Sequence, residues 1–139
     1  MNLTRLALAA LGSTVVNFVI GGLVFAVSPL ANEFRYYPAV YRSQESMKGV
    51  MPVGPAATFV AMLVLAVLYA MICQGGSGIA EGARFGALIG VFSVCAFVLH
   101  NYVNLNIGLK LTIGQAAAFL VEWVNAGIVT GLICRPTAP

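Results

Sequence analysis

The stretch that decides the fold runs Gly78-Ile79-Ala80-Glu81-Gly82-Ala83-Arg84-Phe85-Gly86-Ala87-Leu88-Ile89-Gly90. Four glycines stand at steps of four, and an apolar run to Leu99 follows. Residues i and i+4 share one face of a helix, so this face carries almost no side chains. In water each interior glycine costs a helix roughly 0.8–1 kcal/mol relative to alanine. In lipid the backbone must satisfy its own hydrogen bonds, so the helix holds. The bare face made by Gly78, Gly82, Gly86 and Gly90 then becomes a surface on which another helix packs closely.

The rest of the chain supports a bilayer setting. Of 139 residues, 60% are hydrophobic and 8% charged, with a mean hydropathy of +0.96. Soluble domains carry about 25% charged residues, so a soluble fold of this size has too few charges to cover its surface. The net charge of +3 is scattered over Arg5, Arg35, Arg42, Lys48, Arg84, Lys110 and Arg135. These sit near the expected membrane boundaries, where cationic side chains snorkel, and form no nucleic-acid patch. One membrane domain covering residues 1–139 is expected, an all-α four-helix bundle with small-residue faces.

The expected spans are residues 3–27, 55–73, 79–102 and 112–134. The 30 Å hydrocarbon core needs about 20 helical residues, and each run meets that. The apolar run Leu6–Val27 is too long for a signal-peptide core, and Pro29 follows the small residues where a cut would fall. A retained first span is therefore expected. Four spans put both ends of the chain on one side. The charge balance across the membrane is nearly even, and the short positive start favours a cytoplasmic side for the ends. The second span has no ionisable group and is expected to face lipid most.

Residues 28–54 are the one long hydrophilic connection. Tyr36, Tyr37 and Tyr41 are interleaved with Arg35 and Arg42. Two readings stand: an interfacial belt at headgroup level, or a lid over a cavity between the helices. Glu45 and Lys48 are spaced for an i,i+3 pair on a short helix. Gln74-Gly75-Gly76-Ser77-Gly78 reads as a tight turn, and Glu81 and Arg84 are spaced to pair near the interface.

The fourth span holds the anomaly. Glu122 lies ten residues from Thr112, about 15 Å along the axis, near mid-membrane. Gly114, Ala118, Glu122, Ala126 and Thr130 form an i+4 stripe, with Gln115 and Asn125 beside it. In the first span Ala9, Ser13, Asn17 and Gly21 form a matching ladder. A hairpin of the third and fourth spans centred near Ile107 sets position 92 or 93, hence Ser93, opposite Glu122. A carboxylate in hydrocarbon is costly unless protonated or paired, and such a group is functional by default. Proton or cation coupling is one reading of Glu122 with Asn17, Gln115, Asn125 and Ser93. The other is polar glue that fixes helix register. Glu122 and Asn17 are both expected to face the bundle interior at similar depth.

No catalytic residue, metal site or cofactor is assigned. His100 is the only histidine, and it sits at a helix end, where an interfacial hydrogen bond is the ordinary role. Cys73, Cys95 and Cys134 have no paired spacing and read as small apolar groups. The glycine ladder follows no strand, so it is not a phosphate loop. The expected partners are the lipid bilayer and either a second copy of the chain or a larger membrane complex.

Three segments carry a likeness: Ala80–Gly90, Leu120–Ile133, and Tyr41–Lys48 followed by Met51-Pro52. They resemble stretches of small bacterial four-span membrane proteins of unknown function. The resemblance implies an inner-membrane four-helix protein and brings no activity, cofactor or site residue. A structural or accessory membrane subunit is the leading expectation. A small transporter or channel using Glu122 is the alternative, and a binder of a lipid-soluble ligand is a weaker one.

Overall fold

The computed structural model describes residues 2–73, 75 and 77–134. Four helices are long and apolar enough to cross a membrane. Helix α1 covers Leu3–Gly21 and continues as a wider π turn over Gly22–Val27. Helix α2 covers Val53–Ile72. Helix α3 covers Gly78–Ser93 and runs through a π turn, Val94–Leu99, into a last turn, His100–Asn104. Helix α4 covers Leu109–Cys134. No strand occurs among the described residues.

Local chemistry sets the ends. The side chain of Asn2 accepts from the Thr4 and Arg5 amides at 3.1 and 3.3 Å, capping α1. Pro52 precedes the first turn of α2, and Pro55 falls within that turn, where no intrahelical donor is needed. Gly75, with φ 84°, supplies the left-handed residue in the turn between α2 and α3. Gln74 and Gly76 of that turn lie outside the described residues, as do Arg135 and the four residues after it.

Helix α4 is the hub. Helix α3 packs along one side of it, α1 along another, and α2 lies over the α1–α4 groove. The apolar core gathers at one end of the bundle, where Ala10, Met62, Leu65, Tyr69, Phe85 and Ala126 meet. Leu6, Ala9 and Ala66 extend it toward Ile133 and Cys134.

Helix α2 departs from its expected role. Its buried residues, Met62, Leu65, Ala66 and Tyr69, all lie from its midpoint onward. From Val53 to Ala61 only Thr58 is even half-covered. The helix therefore leans on the bundle at one end and splays from it at the other. It is not the least buried of the four, since α1 hides a smaller share of its span.

Candidate functional site

Helix α4 spans 26 residues, and Glu122 stands at its middle, about 20 Å from either end at 1.5 Å per residue. It is 7% exposed. Its carboxylate lies against the bare backbone of Gly21, where an added Cβ would stand 3.0 Å from Oε1. Glycine at 21 thus leaves the space that the acid occupies. No side chain among the described residues hydrogen-bonds or ion-pairs with Glu122.

The same α1–α4 seam is polar further along. Ser13 and Thr130 are fully buried. Ser13 Oγ donates to the Ala126 carbonyl at 3.0 Å and lies 3.0 Å from Thr130 Oγ1. The single Ser13 proton is committed to the carbonyl, so Thr130 donates to Ser13. The small residues of the two stripes therefore meet, with Ser13 beside Ala126 and Thr130 and Gly21 beside Glu122.

The polar residues grouped with Glu122 on sequence go to different places. Asn17 is half-buried on α1, one turn from Gly21, whose backbone the acid lies against. Gln115 Nε2 donates to Tyr41 Oη at 3.2 Å. Asn125 Nδ2 turns back to the Val121 carbonyl at 2.8 Å. Ser93 is buried on α3, and α3 packs on another flank of α4. The hairpin register explains this last point. Gly78 meets Gly131, Gly82 meets Gly127, Gly86 meets Trp123 and Gly90 meets Leu120. The hairpin is thus centred at the Asn104–Leu105 junction and not at Ile107, which carries Ser93 past the level of Glu122.

The glycine face of α3 is spent inside the chain. An added Cβ on Gly78 would stand 2.6 Å from the Gly131 carbonyl oxygen, and one on Gly86 2.8 Å from the Val124 Cα. Gly127 and Gly131 are the partner residues not singled out on sequence. Their four-residue spacing was the available signal, one helix face away from the Glu122 stripe.

The 28–54 connection folds back over the start of α4. The Gly108 amide donates to Tyr37 Oη at 2.9 Å, Leu30 covers Gly114, and Glu33 pairs with Lys110. Phe34 stacks edge-on against Tyr41 and Phe25, with ring centres 4.8 and 6.0 Å apart. Tyr37 and Tyr41 thus point inward, while Tyr36, Arg35 and Arg42 are exposed. The short helix Gln44–Lys48 is capped by Ser43, which accepts from the Ser46 amide.

His100 is exposed, and its carbonyl accepts from Asn104 Nδ2 at 2.8 Å. Glu81 accepts from Tyr69 Oη at 3.4 Å and from Cys73 Sγ at 3.3 Å. Among the described residues no group of three or more His, Cys, Asp or Glu side chains gathers as a metal site. Comparison with protein-family models, with characterised proteins and with solved structures finds no match.

Proposed function

We propose that this chain is a small membrane transporter or channel whose working group is Glu122, which exchanges protons or binds a small cation inside the bilayer. One observation carries the reading: a carboxylate at mid-helix, on a residue 7% exposed, set between α1 and α4 in a space left by Gly21, with no hydrogen-bond partner among the described residues and its oxygens not wholly closed off from the surface. A purely structural acid in hydrocarbon is expected to be paired, because an unpaired one costs stability and returns nothing. Intramembrane acids of this kind mark ion and proton pathways. The Ser13–Thr130 hydroxyl pair on the same seam adds exchangeable protons on one side of the acid. We assign the protein to the bacterial inner membrane with both ends cytoplasmic. The resemblance of its segments and its positively charged start support that assignment.

A structural or accessory subunit is the second reading. What favours it is the uncovered first half of α2, a surface open to another chain. The glycine face no longer supports it, because α3 already buries that face against α4.

Flux into sealed proteoliposomes separates the two. Under an imposed pH gradient with the potential clamped, the wild-type chain is expected to move protons or monovalent cations above the leak of empty vesicles. Glu122→Gln is expected to return to that leak, with Glu122→Asp in between. Wild-type vesicles no leakier than empty ones, for protons and for monovalent cations, would sink the transport reading.

A further inference from the structure

The α1–α4 seam is built differently on the two sides of Glu122. Toward the chain ends it is shut. Ala9, Ala10, Ser13, Ala126 and Thr130 are all 0% exposed there, and the Ser13 and Thr130 hydroxyls are spent on each other and on the Ala126 carbonyl. The carboxylate oxygens of Glu122 are not wholly closed off, and the chain neighbours of the contact, Gly22 and Val121, are exposed. At mid-membrane that flank faces acyl chains, so water has to come along the seam.

Toward the 28–54 connection the seam is filled by movable rings. Phe25 stands one turn beyond Gly21 on α1. Its ring edge and the acid converge on one point: a Cβ added to Gly21 would stand 4.0 Å from Phe25 Cδ2 and 3.0 Å from Glu122 Oε1. Phe25 meets Phe34, Phe34 meets Tyr41, and Tyr41 Oη accepts from Gln115 Nε2. The three rings thus run from the acid to the connection, which itself supplies two of them. All three are half-buried. On α4 the stripe beside them, Gly114 and Ala118, carries nothing larger than a methyl group, so Phe25 and Leu30 supply the bulk.

The backbone sets this half apart as well. The π turns of α1 and α3, Gly22–Val27 and Val94–Leu99, both fall in it, as does the uncovered stretch 53–61 of α2. The Ser28 amide closes the α1 turn on the Leu23 carbonyl, five residues back, at 3.1 Å. Such turns are rare and collect at functional sites. Tightening one to an ordinary α turn re-aims the side chains along it, and Phe25 lies within this one. The apolar core, by contrast, gathers at the other end of the bundle.

We propose that Glu122 communicates with the membrane face that carries the 28–54 connection, and that Phe25, backed by Phe34 and Tyr41, is the gate across that route. An apolar constriction stops ions and water by dewetting and needs no charge to do so. The contacts of Tyr37, Tyr41 and Glu33 with α4 hold the connection down, so Phe34 stays behind Phe25 while they last. The gate rests on the transport reading, since it has a use only if Glu122 exchanges with water.

A membrane-impermeant, water-soluble carbodiimide tests the gate in sealed membrane vesicles of either orientation, read by peptide mass spectrometry. Labelling of the exposed Glu45 reports which vesicles present the connection outward. Wild-type Glu122 is expected to stay unlabelled from both faces. In Phe25→Ala it is expected to react at a rate close to that of Glu45, and only in vesicles that present the connection. Phe34→Ala is expected to do the same more slowly, and it carries the test should Phe25→Ala fail to accumulate. Val129→Ala, on the closed half where Val129 packs against Gly12, is expected to leave Glu122 unlabelled. Labelling of the wild type, no labelling in either ring variant, labelling from the opposite face, or labelling in Val129→Ala would each overturn the proposal. The label needs no flux, so leak-level flux beside one-sided labelling would sink the transport reading and not the route.

Discussion

Gly86 and Gly127 touch backbone to backbone: a Cβ added to Gly127 would stand 2.7 Å from the Gly86 Cα. Side-chain carbons do not come so near a backbone atom, so either helix must retreat if the space is filled. Gly127→Ala is therefore expected to destabilise the fold by about 1–3 kcal/mol, the ordinary cost of overpacking a tight contact. Gly22 and Gly54 have nothing within 4 Å of an added Cβ. Gly54→Ala and Gly22→Ala are expected to be neutral or mildly stabilising. Reversible unfolding in mixed micelles compares the three variants directly.

The Ser13–Thr130–Ala126 cluster gives a second expectation. Interhelical hydrogen bonds in membranes average about 0.6 kcal/mol and reach about 1.7. Ser13→Ala removes the acceptor for Thr130 as well as the bond to the Ala126 carbonyl, so it is expected to fall in the upper part of that range. A double-mutant cycle of Ser13→Ala with Thr130→Val should give a non-zero coupling energy. Strict additivity would mean that the two hydroxyls do not interact.

Much of this architecture is legible in the sequence. The four apolar runs locate the four helices, and the glycine steps at 78, 82, 86 and 90 mark the surface used for close packing. The matching of residues across helices is less legible. Gly127 and Gly131 lie on a different flank of α4 from Glu122, and which flank meets α3 depends on a register that no turn residue between Asn104 and Leu109 dictates. An error of two or three residues in the hairpin centre was enough to put Ser93 opposite Glu122. The splay of α2 is likewise invisible in a run of uniformly apolar residues, because lipid and protein neighbours ask for the same side chains.

The loop contacts depend on tertiary placement in the same way. Tyr36 and Tyr37 are adjacent in sequence, yet Tyr37 Oη accepts from the Gly108 amide while Tyr36 is 73% exposed. Tyr37→Phe and Gln115→Ala are expected to speed hydrogen exchange across residues 30–41. Tyr36→Phe is expected to leave it unchanged. Equal protection in all three variants would mean that these side-chain bonds do not hold the segment down.

Gly21 links packing to the proposed activity. An added Cβ there would stand 3.0 Å from Glu122 Oε1, close enough that the carboxylate must shift by a few tenths of an ångström. Gly21→Ala is expected to reduce Glu122-dependent flux while unfolding at nearly the wild-type midpoint, since the atom displaced is the end of a flexible side chain. Gly21→Val, with more bulk, is expected to abolish flux. Full activity in Gly21→Val would separate that space from the function.

The burial of Glu122 within the bilayer is tested most directly by carbodiimide labelling in native membranes, read by peptide mass spectrometry. A hydrophobic carbodiimide that partitions into lipid is expected to modify Glu122, while a water-soluble one modifies Glu45 on the exposed connection and leaves Glu122 untouched. Labelling of Glu122 by the water-soluble reagent as fast as Glu45 would contradict the account.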